Sequence, residues 1–93
     1  EHPAIGIINA IGTHERLKCF LYGKYKKIPI LVMPALNFFA SGTEINMVPK
    51  SELLSPVFSK IDVESMHAIA VGYGSTIDFG TIKELRKLAL ATN

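Results

Sequence analysis

The sequence predicts an α+β protein, a mainly antiparallel β-sheet followed by one C-terminal helix. Residues 15–22 alternate at period two, with Leu17, Cys19 and Leu21 on one face and Arg16, Lys18, Phe20 and Tyr22 on the other. Residues 28–33 and 66–71 are short, largely apolar runs of strand length. Thr81 and Glu84 then have the spacing of a capping box, and Ile82, Leu85, Leu88 and Ala89 form one apolar stripe behind it.

Taken in order, residues 4–8 form a first strand, in which Gly6 marks a bulge or a close backbone approach. Residues 9–14, with Gly12 and Thr13, connect it to the half-buried strand 15–22. Residues 23–27 close an antiparallel hairpin, and Gly23 is expected to supply its unusual dihedral. The run 28–33 is apolar at every position, so it is expected to be the central strand, covered on both faces. Pro29 is tolerable at that strand's start, and Pro34 ends it.

The loop that follows carries apolar Leu36, Phe38 and Phe39 among polar Asn37, Ser41, Thr43 and Asn46, a mixture expected to pack against something. Pro49 and Pro56 argue against a long element in 47–64. Short helical turns there would place Leu53, Leu54, Val57, Phe58 and Ile61 inward. Residues 66–71 and 76–79 read as a second hairpin across a Gly-Tyr-Gly-Ser turn, and the helix is expected over about 82–91.

A chain of 93 residues is one domain or part of one and buries only roughly 60–65% of its unfolded surface. Hydrophobic residues make up 48% of it and the mean hydropathy is +0.28, an apolar supply that implies a partner for some of the surface. Ten basic and eight acidic residues leave a net charge of +2, which neither demands nor excludes a polyanionic ligand. Cys19 is the only cysteine, so no internal disulfide is possible, a packed thiol is expected, and the default location is cytoplasmic. No apolar run approaches the roughly 18 residues of a membrane span.

Chemistry-bearing residues are sparse. No two of His2, His14 and His67 have the i, i+4 spacing of a helical metal motif, and no phosphate-cradling glycine loop or nucleophile elbow is present. His67 reads as a strand-face histidine and His14 as a loop histidine. His2 differs in its surroundings: it precedes a proline at a strand's edge, where the strand can hold the backbone while the ring points into a site. Lys24, Lys26 and Lys27, interleaved with Tyr22 and Tyr25, make either a basic, aromatic hairpin tip for nucleic-acid contact or a solvated edge that discourages strand pairing.

Several runs taken together resemble a known family. Glu1-His2-Pro3-Ala4, Arg16-Leu17-Lys18-Cys19-Phe20-Leu21, Val32-Met33-Pro34-Ala35-Leu36-Asn37, residues 42–46 and Leu54-Ser55-Pro56 look, in order and spacing, like the C-terminal part of archaeal calcineurin-like metallophosphoesterases. The branch is the one related to the bacterial nuclease SbcD. The resemblance implies that Glu1 and His2 complete a Gly-His-x-His motif, with His2 a ligand of one of two divalent ions, Mn²⁺ foremost. In that family the ions activate a water and clamp phosphoester oxygens. It also implies that the sheet is part of a β-sandwich and that Asn37 and Asn46 contact substrate or support the ligand loops.

The family's remaining Asp, Asn and His ligands would precede residue 1. The expectation is therefore a 93-residue C-terminal portion of a larger metallophosphoesterase domain, inactive and without tightly bound metal by itself. Its partners would be the N-terminal part of the same protein and a phosphoester or nucleic-acid substrate, with no membrane. A homo-oligomer is also expected, formed through sheet surface left uncovered, with Val32, Ile69 and Val71 as candidates. A non-catalytic dimerising module and a nucleic-acid-binding module built on the Tyr and Lys hairpin are the alternatives.

Overall fold

The computed structural model describes residues 2–35, 42–49, 51, 60–72 and 74–91. It is a mixed α+β fold, a mostly antiparallel sheet with one C-terminal helix. The strands are β1 (Pro3–Ile8), β2 (His14–Tyr25), β3 (Ile28–Val32), β4 (Thr43–Glu44), β5 (His67–Gly72) and β6 (Ser75–Thr81), followed by helix α1 (Ile82–Ala91). The expected loop residues Leu36, Asn37, Phe38 and Phe39 lie outside the described residues, as do Leu53, Leu54, Val57 and Phe58.

The organising element is β2 rather than the apolar run after it. This strand is 12 residues long and pairs with β1 along residues 14–18, with β3 along 21–25 and with β5 along 19–22. Leu21 and Tyr22 pair with both β3 and β5, so those two strands occupy opposite edges of β2. β3 has no partner but β2 among the described residues, which makes it an edge strand and corrects the expectation of a central one. The expected cover on both faces is also absent, since Ile28 is 63% and Leu31 57% exposed. Hydrophobic content alone does not place a strand at a sheet's centre; the number of ladders it can join does.

The β2–β3 turn also differs from the expected one. Tyr25 pairs with Ile28, and the two residues between them, Lys26 and Lys27, take φ of 49° and 70°, the signature of a type I′ turn. Gly23 lies inside β2 opposite Ile30, and a Cβ there would sit 2.8 Å from Met66 Cγ. Its role is to admit the Met66 side chain. Residues flanking a two-residue turn form a hydrogen-bonded pair, so Pro29, one position on, directs its missing N–H away from β2.

One face of the sheet carries the core. Ile5, Cys19, Leu21, Ala68 and Ala70 point toward Ile61, Val63, Met66, Ile82 and Leu85, which arrive from the segment before β5 and from α1. The face assignment of β2 read from its alternation holds, with Leu17, Cys19 and Leu21 inward. Burial pushes the Cys19 thiol pKa up to about 12, so it stays protonated and packed. Val32 packs against this core and is not on the uncovered face, whereas Val71 is exposed on the opposite one.

The helix start is fixed as its sequence requires. Glu84 N–H donates to Thr81 Oγ1 at 3.2 Å, and Thr81 N–H donates to Glu84 Oε1 at 3.2 Å, the reciprocal bonds of a capping box. Ile82 N–H donates to Met66 O at 2.9 Å, tying the helix to the start of β5. Of the expected stripe, Ile82 and Leu85 are buried, but Leu88 is 62% exposed. Arg86 Nε lies 2.7 Å from Glu64 Oε1, an ion pair without hydrogen-bond alignment. Among the described residues no helix is long and apolar enough to cross a membrane.

Candidate functional site

The polar residues that come together do so where β4 runs parallel to β1. The pairing sets Pro3 beside Thr43 and Ala4 beside Glu44, and Thr43 N–H donates to His2 O at 2.7 Å. Gly42, at φ 79°, lies so close that a Cβ there would be 2.8 Å from His2 O. The main chain of His2 is thus held on one side by residues 42–43 and on the other by buried Pro3, while the residue itself is exposed.

Two positions along, Asn46 finishes the attachment. Its Oδ1 accepts from Gly6 N–H at 2.8 Å and its Nδ2 donates to Gly6 O at 2.9 Å. The side chain therefore acts as one more residue of parallel ladder, and at 3% exposure both ends of its amide face backbone. Asn37, its companion in the sequence reading, lies outside the described residues.

Beside it sits an ionic cluster that residue types alone did not single out. Glu44, buried in β4, places Oε1 2.7 Å from His14 Nε2 and Oε2 2.7 Å from Arg16 Nε. His14 and Arg16 are two apart on β2 and so share a face, and opposite them Gly6 leaves the space the carboxylate fills. A Cβ at Gly6 would collide with the Glu44 carboxylate and lie 2.9 Å from His14 Nε2. Of the two sequence expectations for Gly6, the structure has the close approach, in a ladder that keeps regular register.

Burial alone would raise the Glu44 pKa. The bonds from Arg16 and His14 and their nearby charge outweigh it, so the carboxyl titrates below its ordinary value of 4.5. An ionised Glu44 accepts from Nε2–H of His14, whose side chain is half-exposed. His14, expected to be an exposed loop histidine, is exposed, but it is the first residue of β2 and its ring is held by a carboxylate. Gly6 inside a strand and two basic side chains at i, i+2 were the available signals.

These residues do not make a two-metal centre by themselves. Among the described residues no three His, Cys, Asp or Glu side chains are placed to share an ion. The Glu44 carboxylate, beside β1, is committed to a guanidinium and an imidazole.

The other sequence candidates lie at the far end of β2. Lys24, Lys26 and Lys27 are exposed around the hairpin tip, with Lys26 Nζ 5.3 Å from the centre of the Tyr25 ring. His67 Nδ1 is 3.5 Å from Asp78 Oδ1 across the β5–β6 ladder. Comparison of the chain with protein-family models, curated proteins and solved structures found no match.

Proposed function

We propose that this chain is the C-terminal portion of a metal-dependent phosphoesterase acting on phosphodiesters or nucleic acid, with His2 one ligand of a two-ion centre. The observation that supports the reading is the setting of His2. Its backbone is clamped between β4 and the buried start of β1, and the residue is exposed. A ligand needs such a combination: a fixed anchor lowers the entropy lost when an ion is bound, and an open ring leaves room for the ion and its other ligands. The resemblance supplies the rest, namely ligands from the preceding part of the protein and a sandwich that this sheet would help to complete.

In this reading the segment 42–46 is the brace of the site. Asn46 holds it against β1, Glu44 ties it to β2, and through Thr43 it holds His2. His2 contributes one neutral imidazole donor, suited to Mn²⁺ or Zn²⁺.

The test uses the complete gene product with a phosphodiester reporter and Mn²⁺. Hydrolysis should require the ion and fall by on the order of 100-fold or more in His2→Ala, the scale on which metal-site losses are felt. The 93 residues alone should hydrolyse the reporter no faster than buffer, because too few ligands remain. A complete protein without metal-dependent hydrolysis, or one in which His2→Ala keeps full activity, would contradict the proposal.

A further inference from the structure

We infer that the outward sheet face along the C-terminal half of β2 is a platform for single-stranded nucleic acid. This surface is separate from the His2 region, and the inference does not rest on phosphoesterase activity. Phe20, Tyr22 and Lys24 follow one another at i, i+2, i+4 on the face opposite the core. The ladders set Ile69 beside Phe20, and His67 and Leu31 on the two sides of Tyr22. Tyr22 is 46% exposed, and the side chain of His67 47%.

Two strand residues advance about 6.6 Å, so exposed Tyr22 and, one step along, half-buried Phe20 offer separate places for bases to stack, with Tyr22 the principal one. Cations lie at both ends of this aromatic pair. Lys24 is next on the same face, and Lys26 and Lys27 stand beyond it at the turn. On the other side comes Lys18, whose Nζ donates to Ala35 O at 3.4 Å, whereas Arg16 beyond it is paired with Glu44 and belongs to the ionic joint. The nearest acid across the ladder, Asp78 opposite Ile69, already accepts from Gly80 N–H at 2.8 Å and faces His67.

Charge selects among the occupants an apolar face could take. A second copy laid on this face would bring its own lysines to a row of lysines, whereas a polyanion with flat apolar bases answers both the charge and the rings. Single strands fit better than duplexes, because stacking on Phe20 and Tyr22 requires base faces that a duplex keeps covered.

The experiment measures fluorescence anisotropy of a labelled oligothymidylate of about 12 nucleotides, a length within the usual site range. A blunt duplex of the same length is the comparison. Oligothymidylate should bind more tightly than duplex and lose affinity between about 50 and about 200 mM salt. Tyr22→Ala should weaken binding about 5- to 100-fold, and Tyr22→Phe should retain most of it, because the ring and not the hydroxyl is used. Replacing Lys24, Lys26 and Lys27 together by Gln should flatten the log–log salt slope by about 2, at roughly 0.7 per contact.

Circular dichroism checks that each variant is folded; if Tyr22→Ala is not, Lys24→Glu at its exposed position carries the test. Failure to bind at low salt, equal affinity for duplex, or an unchanged affinity in a folded Tyr22→Ala would overturn the inference. So would sedimentation showing a dimer that Leu31→Asp disrupts, since the face would then belong to a second copy.

Discussion

The two halves of β2 treat their outward side chains in opposite ways. In the first half, His14 and Arg16 are drawn onto one buried carboxylate, Glu44, over a glycine that makes room for it. In the second half, Tyr22 and Lys24 stand in the open beside exposed Leu31. The same period-two alternation thus makes a closed ionic joint at one end and an open aromatic and basic surface at the other. The difference comes from the neighbours: β4 pairs along β1 and sends the Glu44 side chain across Gly6 to the first half, whereas Tyr22 stays 46% exposed. A joint whose donors and acceptors answer one another is suited to holding β1 and His2, and a face whose Tyr22 ring remains exposed is suited to binding.

The strongest way to break this contrast is to deny the closed half its space. Gly6→Ala would drive a methyl group into the Glu44 carboxylate and toward His14, so Glu44 must move or β4 must leave β1. Overpacking and the disturbance of a buried ion pair together should cost about 3 kcal/mol, or about 12–24 °C in Tm for a domain of this size. Thermal melts check this; a Tm within a few degrees of the wild type would show that the close packing at Gly6 is not rigid.

A smaller change sharpens the comparison by isolating charge. Glu44→Gln keeps the shape but removes the ionised acceptor shared by His14 and Arg16, and should cost about 1.5–3 kcal/mol at neutral pH. The sign of its pH dependence follows from the lowered folded-state pKa. The unfolded chain takes up this proton at higher pH than the folded one, so the contribution is complete above the ordinary value of 4.5 and is lost as pH falls through the lower folded value. Urea denaturation across the acid range should therefore show wild type and variant converging in strong acid. A constant gap down to the lowest pH would mean that Glu44 acts by shape alone.

What was legible in the sequence divides along the same line. The face pattern of β2 and the capped helix were readable because both are local, set by side chains two to four residues apart. β3 was misplaced because an apolar run reports composition, not the number of ladders a strand joins, and Ile28 and Leu31 remain exposed at an edge. The Lys26-Lys27 turn hid because neither residue is one that positive φ favours. The Glu44 joint depends on partners 28 and 30 positions away and the Asn46 bonds on one 40 away, distances at which residue spacing carries no register. Gly6 alone signalled that something approaches the strand.

Backbone amide shift mapping during titration with oligothymidylate tests most directly whether β2 is divided into a holding half and a binding half. The amides of Phe20, Tyr22, Lys24, Leu31 and Ile69 should move progressively, while those of Gly6, Glu44 and Asn46, locked in the joint, should stay in place. Shifts centred on Gly6 and Glu44, or none along the second half of β2, would contradict the division.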